Sequence, residues 1–184
     1  MFTIAATGER VAVKPDFLTH LHGMTLVPKD HPRIEFRGQL DNLQSHVLEA
    51  QCLADQLGRP DVAAELQEVL LFLRRMLAGE YHGTQIPDLT LLNLSGEQLR
   101  HASHRPEEFF GPSVHHAAPD HRQGPLAVRL NTLRTLVRQV ELCAARTFLQ
   151  SGSTCSRPDI LKGLNRLSSA LYVLYCREAG LTGS

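Results

Sequence analysis

The sequence predicts an all-α fold, a helical bundle of four long helices plus a short one. Four stretches of the chain place apolar residues three and four positions apart, which is the spacing of one buried helix face. No stretch alternates apolar and polar residues in the way that a half-buried strand would. Amphipathic helices without strands bury their apolar faces against one another, and this favours a bundle around one core.

Prolines and glycines divide the chain into four segments of a single predicted domain that covers residues 1–184. The segments are 1–34, 35–80, 81–124 and 125–180. The first is predicted to be irregular, and the second and the fourth hold two long helices each. The third is a long loop with one short helix, which Ser95 and Gln98 begin with the spacing of a capping box. A loop of this length in a compact protein is usually functional or mobile.

Composition and charge exclude several classes of protein. Hydrophobic residues make up 42% and charged residues 21% of the 184 residues, as in an ordinary globular domain. Lys plus Arg and Asp plus Glu both number 19, a balance that argues against binding to nucleic-acid backbones. No apolar run is long enough to span a membrane, and no secretory signal pattern opens the chain. We therefore expect a cytoplasmic protein with neither nucleic-acid nor membrane partners.

A polar stripe on the third of the four long helices is the first candidate site. Arg134, Arg138 and Glu141 are four and then three residues apart, so they share one helix face beside the apolar stripe. Two guanidiniums at such a seam form a good clamp for a polyphosphate, because they give forked donors and stay charged near neutral pH. An exposed salt-bridge ladder, with Arg138 and Glu141 paired, accounts for the same spacing.

Two other polar groups could contact a nucleotide. Asn165 lies inside a predicted helix, where asparagine is unfavourable, so it either donates to a phosphate or ribose or is a buried amide satisfied by a neighbouring helix. Thr19, His20 and Lys29 lie in the irregular first segment, where hydroxyl and backbone donors can wrap phosphates. This pattern is not a Walker loop.

The long loop is rich in histidine and holds two adjacent phenylalanines. A group of five histidines stands out in it: His101, His104, His115, His116 and His121. The first two share a helix face at a spacing that permits metal binding, and ordinary surface histidines are the alternative. Phe109 and Phe110 either cover a flat apolar ligand or anchor the loop to the core.

The order of these pieces resembles the ATP:cob(I)alamin adenosyltransferase family, over about residues 14–177. The runs that carry the resemblance are 14–21, 27–33, 38–41, 133–141 and 157–169. The last of them, which reads RPDILKGLNRLSS, is the most specific. The sequence of these runs is most similar to the ethanolamine-utilisation branch and more distantly similar to the propanediol-utilisation branch.

The resemblance implies a helical bundle that moves the 5′-deoxyadenosyl group of ATP to the cobalt of cob(I)alamin. Adenosylcobalamin forms, and triphosphate or its breakdown products are released. ATP and cobalamin are then the substrates, and Mg²⁺ accompanies ATP. The resemblance also implies a homo-oligomer, with a trimer favoured over a dimer or a tetramer. An association with a bacterial microcompartment is a further expectation from the same resemblance.

The same resemblance assigns roles to individual residues. It puts Thr19, His20 and Lys29 at the triphosphate-binding segment, Arg138 and Asn165 in contact with ATP, and Glu141 beside them as a third catalytic residue. Asp41 and Arg134 match a pair that meets across a subunit interface, and Phe109 or Phe110 matches an aromatic residue that displaces the lower cobalt ligand.

Two departures from the family motivate alternatives. The ethanolamine branch carries an upstream His and Cys-Cys-x-x-Cys metal motif, which this sequence lacks. The last-helix motif of this sequence ends in Ser168 and Ser169, where the propanediol branch has Ser-Asp. The alternatives are a non-catalytic protein that binds or delivers a corrinoid, and a structural bundle with incidental metal binding.

Overall fold

Six α-helices dominate the computed structural model, which describes residues 1–116, 118–150 and 154–181. The helices are α1 (Pro32–Gln56), α2 (Pro60–His82), α3 (Gly96–His104), α4 (Pro106–Phe110), α5 (Gly124–Phe148) and α6 (Pro158–Leu181). The strands are β1 (Phe2–Ile4), β2 (Arg10–Val11), β3 (Leu18–His22), β4 (Thr25–Pro28), β5 (Thr90–Leu91) and β6 (Leu94–Ser95). A short 3₁₀ helix covers His121–Gln123.

The four long helices pack in the order α2–α1–α5–α6, since α1 contacts both α2 and α5, and α5 contacts α6. Their apolar faces form the core, which confirms the predicted bundle. Residues of this core with no more than 2% exposure include Leu40, Leu43, Val47, Leu66, Val69, Leu73, Leu130, Leu133, Val137, Val140, Leu164, Leu167 and Leu171. No helix in the described ranges is both long and apolar enough to cross a membrane.

The prediction of an irregular segment over residues 1–34 is wrong, because this region forms a four-stranded sheet. The strand order is β2–β1–β4–β3, with β1 and β4 parallel and the other pairs antiparallel. The strands have only two to five residues, too few to show a clear alternation of apolar and polar side chains. Gly23, with φ +49°, belongs to the turn that joins β3 to β4.

The long loop over residues 81–124 contains more structure than predicted. The short helix is confirmed as α3, and Ser95 and Gln98 form the expected capping box. A second short helix, α4, follows directly, and the hairpin of β5 and β6 precedes them. Leu92 and Asn93 both have φ 58° in this hairpin, which is the left-handed conformation that a tight two-residue turn requires.

A buried carboxylate joins α1, α2 and the sheet. Glu80 is fully buried near the end of α2, and its two carboxylate oxygens accept hydrogen bonds from Arg33 and Arg37 of α1. Arg33 also donates to the Glu80 carbonyl at 2.8 Å, and Arg37 donates to the carbonyl of His20 in β3 at 3.3 Å. This network therefore fixes the sheet against the helices.

A second polar anchor sets the start of α6. Asp159 accepts from Arg157 at 2.8 Å and 3.0 Å and from the amide of Ile86 at 2.9 Å, and Arg157 also donates to the carbonyls of Gly79 and Thr84. Burial acts to raise the pKa of Asp159, but these hydrogen bonds and the charge of Arg157 outweigh it and lower that pKa. The end of α2 is thereby tied to the beginning of α6.

Replacing Glu80 should destabilise the fold strongly. We expect Glu80→Gln to lower the free energy of unfolding by about 3 kcal/mol, because two arginines lose their shared counter-charge. Urea denaturation measures the change. Glu68→Gln, an exposed acid on the same helix, is the control and should stay within about 0.5 kcal/mol of the wild type. Equal stabilities for the two variants would contradict this account.

Stability should also depend on Asp159 in a pH-dependent way. Because folding lowers the pKa of its carboxyl, the stabilisation is complete above the ordinary pKa of an aspartate, about 4, and is lost as the pH falls below it. We expect Asp159→Asn to be less stable than the wild type by about 2 kcal/mol at pH 7. The difference should shrink in acid. A difference that is constant from pH 7 to pH 3 would argue against this linkage.

Candidate functional site

A cleft of about 760 Å³ lies between α3, α5 and α6. We call it the first cleft. Its lining residues are Arg100, Ser103, His104, Arg134, Arg138, Glu141, Leu142, Ala145, Leu161, Asn165, Ser168, Ser169 and Tyr172. Three arginines and one glutamate are among them, so the charged side chains of the lining carry an excess of positive charge. Such a cleft attracts an anionic ligand.

The polar stripe of α5 lines this cleft as one group. Arg138 is exposed and forms no ion pair with any residue in the described ranges. Glu141 accepts a hydrogen bond from Asn165 instead, with 3.1 Å between Glu141 Oε1 and Asn165 Nδ2. The ladder in which Arg138 pairs with Glu141 is therefore not observed, and the Arg138 guanidinium faces the cleft with its donors available.

Asn165 of α6 is exposed, so the interpretation as a buried amide is wrong. Its Nδ2 donates to Glu141, and its Oδ1 accepts from Arg166 at 2.7 Å. Arg166 is held in turn by Glu97 at 2.8 Å, and this ion pair lowers the pKa of the Glu97 carboxyl. These contacts orient the amide. One hydrogen of Nδ2 remains for a ligand, because an amide nitrogen carries two.

Arg134 lies at the opposite end of the first cleft from Glu141 along α5. Its Nε donates to Asn131 Oδ1 at 3.0 Å, and its guanidinium carbon is 5.7 Å from the centre of the Tyr172 ring. Tyr172 in turn lies 2.8 Å from His116 Nδ1. In the described part of the chain Arg134 has no carboxylate partner.

Thr19, His20 and Asp41 line a different cleft. This second cleft has a volume of about 640 Å³ and lies between β3, α1 and α2. Arg37 and Arg74 are also in its lining. Lys29 is exposed just after β4 and is outside the lining of both clefts. The structure therefore separates Thr19 and His20 from Arg138 and Asn165 within one chain and leaves Lys29 outside both clefts.

The histidines of the long loop contact several different partners. His101 lies 3.3 Å from Glu108, His121 lies 3.4 Å from Asp120, and His104 lines the first cleft. Across the described ranges, no group of three His, Cys, Asp or Glu side chains is close enough to hold a metal ion.

Phe109 and Phe110 lie outside the lining of the first cleft. Phe110 packs against the core, and the guanidinium of Arg177 lies 5.7 Å from its ring centre. The rings of Phe109 and His101 meet edge-on, with 5.4 Å between their centres. Both side chains therefore attach α4 to its neighbours, and the predicted contact with a flat ligand stays a prediction.

Sequence reasoning assigned no site role to five polar residues of the first cleft. These are Arg100, Ser103, Ser168, Ser169 and Tyr172. A signal existed for Tyr172, which follows Asn165 by seven residues and therefore shares its helix face. No comparable signal existed for Arg100 and Ser103, because only the packing of α3 against α6 brings them to the cleft.

Comparison with known proteins supports a family assignment. The Cobalamin adenosyltransferase family profile matches residues 14–178. The chain is 38% identical over 170 residues to the corrinoid adenosyltransferase EutT of Escherichia coli strain K12, and 33% identical over 168 residues to that of Salmonella typhimurium. Each match covers 89% of this chain, which spans 59% of the length of these curated relatives.

Solved structures share the same fold. Two variants of a PduO-type ATP:corrinoid adenosyltransferase from Lactobacillus reuteri, complexed with cobalamin and ATP, superpose with TM-scores of 0.65 and 0.64. They are 19% identical to this chain, and the matches cover 88% of it and 84% and 87% of theirs. At this identity the likeness concerns the fold alone. With the profile match over most of its length, the chain belongs to the cobalamin adenosyltransferase family.

Proposed function

We propose that this chain is a corrinoid adenosyltransferase, which moves the 5′-deoxyadenosyl group of ATP to cob(I)alamin and forms adenosylcobalamin. The observation that carries the proposal is the first cleft, where Arg134, Arg138 and an oriented Asn165 lie together in a member of this family. The names of the relatives support it: two are corrinoid adenosyltransferases, and the solved neighbours are complexed with cobalamin and ATP.

The chemistry explains why a cationic cleft is needed. The cobalt of cob(I)alamin supplies the electron pair that bonds to C5′ of ATP, and Co(I) becomes Co(III). The C5′–O5′ bond breaks, and its electron pair leaves with the triphosphate. Negative charge therefore grows on the leaving group, which arginine donors stabilise. The protein supplies no general base, because the nucleophile belongs to the corrinoid.

Each catalytic residue has a role in this scheme. Arg138 contacts the triphosphate, since its guanidinium is exposed in the cleft and has no ion-pair partner among the described residues. Asn165 donates its remaining amide hydrogen to the nucleotide, and Glu141 holds that amide in place. Mg²⁺ enters with ATP as part of the substrate, and the Glu141 carboxylate, an oxygen ligand of the kind Mg²⁺ prefers, would face it.

We further propose that the complete ATP site forms in a homo-oligomer. Arg134 has no carboxylate partner among the described residues, and Asp41 is exposed in the lining of the second cleft. A pair between Arg134 of one chain and Asp41 of another would bring Thr19 and His20 to the first cleft, with Lys29 at its edge. A trimer is the favoured assembly, and a dimer and a tetramer are the alternatives.

The corrinoid would lie on the α3–α4 side of the first cleft. Phe109 and Phe110 of α4 are only half-buried there, and apolar side chains exclude water from a strongly reducing cobalt centre. We place the protein in the cytoplasm, with association with a bacterial microcompartment following only from its resemblance to the ethanolamine-utilisation branch.

The alternative function is a protein that binds or delivers a corrinoid without transfer. An anaerobic mixture of the protein, Mg-ATP and chemically reduced cobalamin separates the two. The enzyme produces the spectral change that accompanies formation of the cobalt–carbon bond. A corrinoid that binds and remains unchanged would support the carrier and overturn the transferase.

Truncating Arg138 should impair the transfer more than any general change in charge on α5. We expect Arg138→Ala to lower kcat/KM for ATP by about 100-fold, because one donor to the leaving group is lost. The control is Arg146→Ala, which removes an exposed arginine of the same helix outside the cleft lining and should leave the rate within about twofold. Equal losses in both variants would argue against a triphosphate contact.

Exchanging the charges of Asp41 and Arg134 tests the oligomeric site. We expect Asp41→Arg and Arg134→Asp each to reduce transfer by about tenfold or more, because each places like charges opposite one another. The double variant should recover part of the loss. Turnover and the molar mass in solution are measured together. A double variant whose loss of transfer equals the product of the two single losses would contradict the pairing.

A further inference from the structure

We propose that His116 is a positioning residue for the first cleft: it fixes the ring of Tyr172 in the cleft wall and, through that ring, the guanidinium of Arg134. The inference rests on the proposed function. It adds a chain of contacts that begins outside the cleft lining and ends on an arginine inside it.

Both ring nitrogens of His116 are engaged. Nδ1 lies 2.8 Å from the hydroxyl of Tyr172 on α6, and Nε2 lies 2.9 Å from the carbonyl of His104 at the end of α3. The imidazole and the Tyr172 ring are also stacked, with 5.6 Å between their centres and 28° between their planes. His116 thus spans α3 and α6 and fixes the orientation of one aromatic ring.

The two contacts define the proton positions. A carbonyl only accepts, so His116 Nε2 carries the hydrogen that is donated to His104. In the neutral imidazole Nδ1 then accepts from the Tyr172 hydroxyl. Burial, with a smaller contribution from Cys176, raises the pKa of Tyr172 to about 12, so this hydroxyl keeps its proton at neutral pH.

The ring that His116 holds is in contact with Arg134. The guanidinium carbon of Arg134 is 5.7 Å from the Tyr172 ring centre, a distance at which a cation is attracted by an aromatic ring. Arg134 is also held by the 3.0 Å hydrogen bond from its Nε to Asn131. A Tyr172 ring that is free to turn would therefore release the outer part of the guanidinium.

The segment before His116 packs against the protein through residues other than the His116 imidazole. Val114 is only 8% exposed and belongs to the core cluster, and its amide donates to the Gly111 carbonyl at 3.0 Å. A Cβ atom at Gly180 of α6 would lie 2.6 Å from the Ser113 carbonyl, so the segment packs directly on the helix. Removing the imidazole should leave the segment folded and affect mainly the Tyr172 ring.

A double-mutant cycle tests this coupling. We expect His116→Ala and Tyr172→Phe each to lower kcat/KM for ATP by about threefold to tenfold, the effect of losing one hydrogen bond. The double variant should be no worse than the poorer single one, because both changes break the same bond. Losses that multiply in the double variant would overturn the inference.

Two further variants separate positioning from a structural effect. His116→Asn keeps an acceptor near the Nδ1 position and should recover part of the rate that His116→Ala loses. His115→Ala removes the adjacent exposed histidine, which makes no hydrogen bond with the described residues, and should behave as the wild type. A His115→Ala variant as impaired as His116→Ala would overturn the inference.

Spectroscopy gives a readout that does not depend on turnover. The chain has three tyrosines and no tryptophan, so its near-ultraviolet spectrum reports on the tyrosine environments. His116→Ala should change this spectrum, and the same substitution in the Tyr172→Phe background should not. If the wild type transfers adenosyl but the spectra and rates show no coupling, only the role of His116 fails. If the wild type neither transfers adenosyl nor binds Mg-ATP, the proposed function and this inference both fail.

Discussion

The apolar seam between α5 and α6 is the constraint on which the candidate site depends. Leu133, Val137 and Val140 of α5 pack into the core together with Leu164 and Leu167 of α6, and each has at most 2% exposure. The helices run antiparallel, since position 141 contacts position 165 while position 134 contacts position 172. Polar residues that flank the seam on both helices are therefore forced to face one another. The first cleft is the space between those flanks and α3.

The same packing also explains why one chain holds only part of the predicted site. The sheet places Thr19 and His20 in a cleft beside α1 and α2, where the buried Glu80 network holds β3 in place. The polar stripe of α5 faces α3 and α6 instead. Asp41 is exposed in the second cleft, and Arg134 in the first cleft has no carboxylate partner among the described residues. These two observations are the basis of our proposal that copies of the chain assemble, because each side chain would gain an oppositely charged partner.

Residues outside the lining of the first cleft orient side chains within it. Asn165 is oriented through Arg166 and Glu97, and Tyr172 is oriented through His116. Both chains of contacts begin on elements of the long loop and end on α6. A loop with short helices and a hairpin is thus a means of fixing side chains whose helix leaves them exposed, and such pre-organisation lowers the cost of holding a ligand in one geometry.

The sequence alone predicts the four long helices, their buried faces and the polar stripe, because a repeat of three and four residues defines a helix face without reference to any partner. It also predicts α3, through the capping box at Ser95 and Gln98. The sheet of β1 to β4 is known only from the folded chain, since strands of two to five residues take their pattern from pairing with distant segments. The same holds for Arg100 and Ser103, which the packing of α3 against α6 brings to the cleft, for the contact between His116 and Tyr172, and for the separation of Thr19 and His20 from Arg138. Local periodicity carries no information about which helices become neighbours, so the residues that meet in a cleft are known only when the packing is.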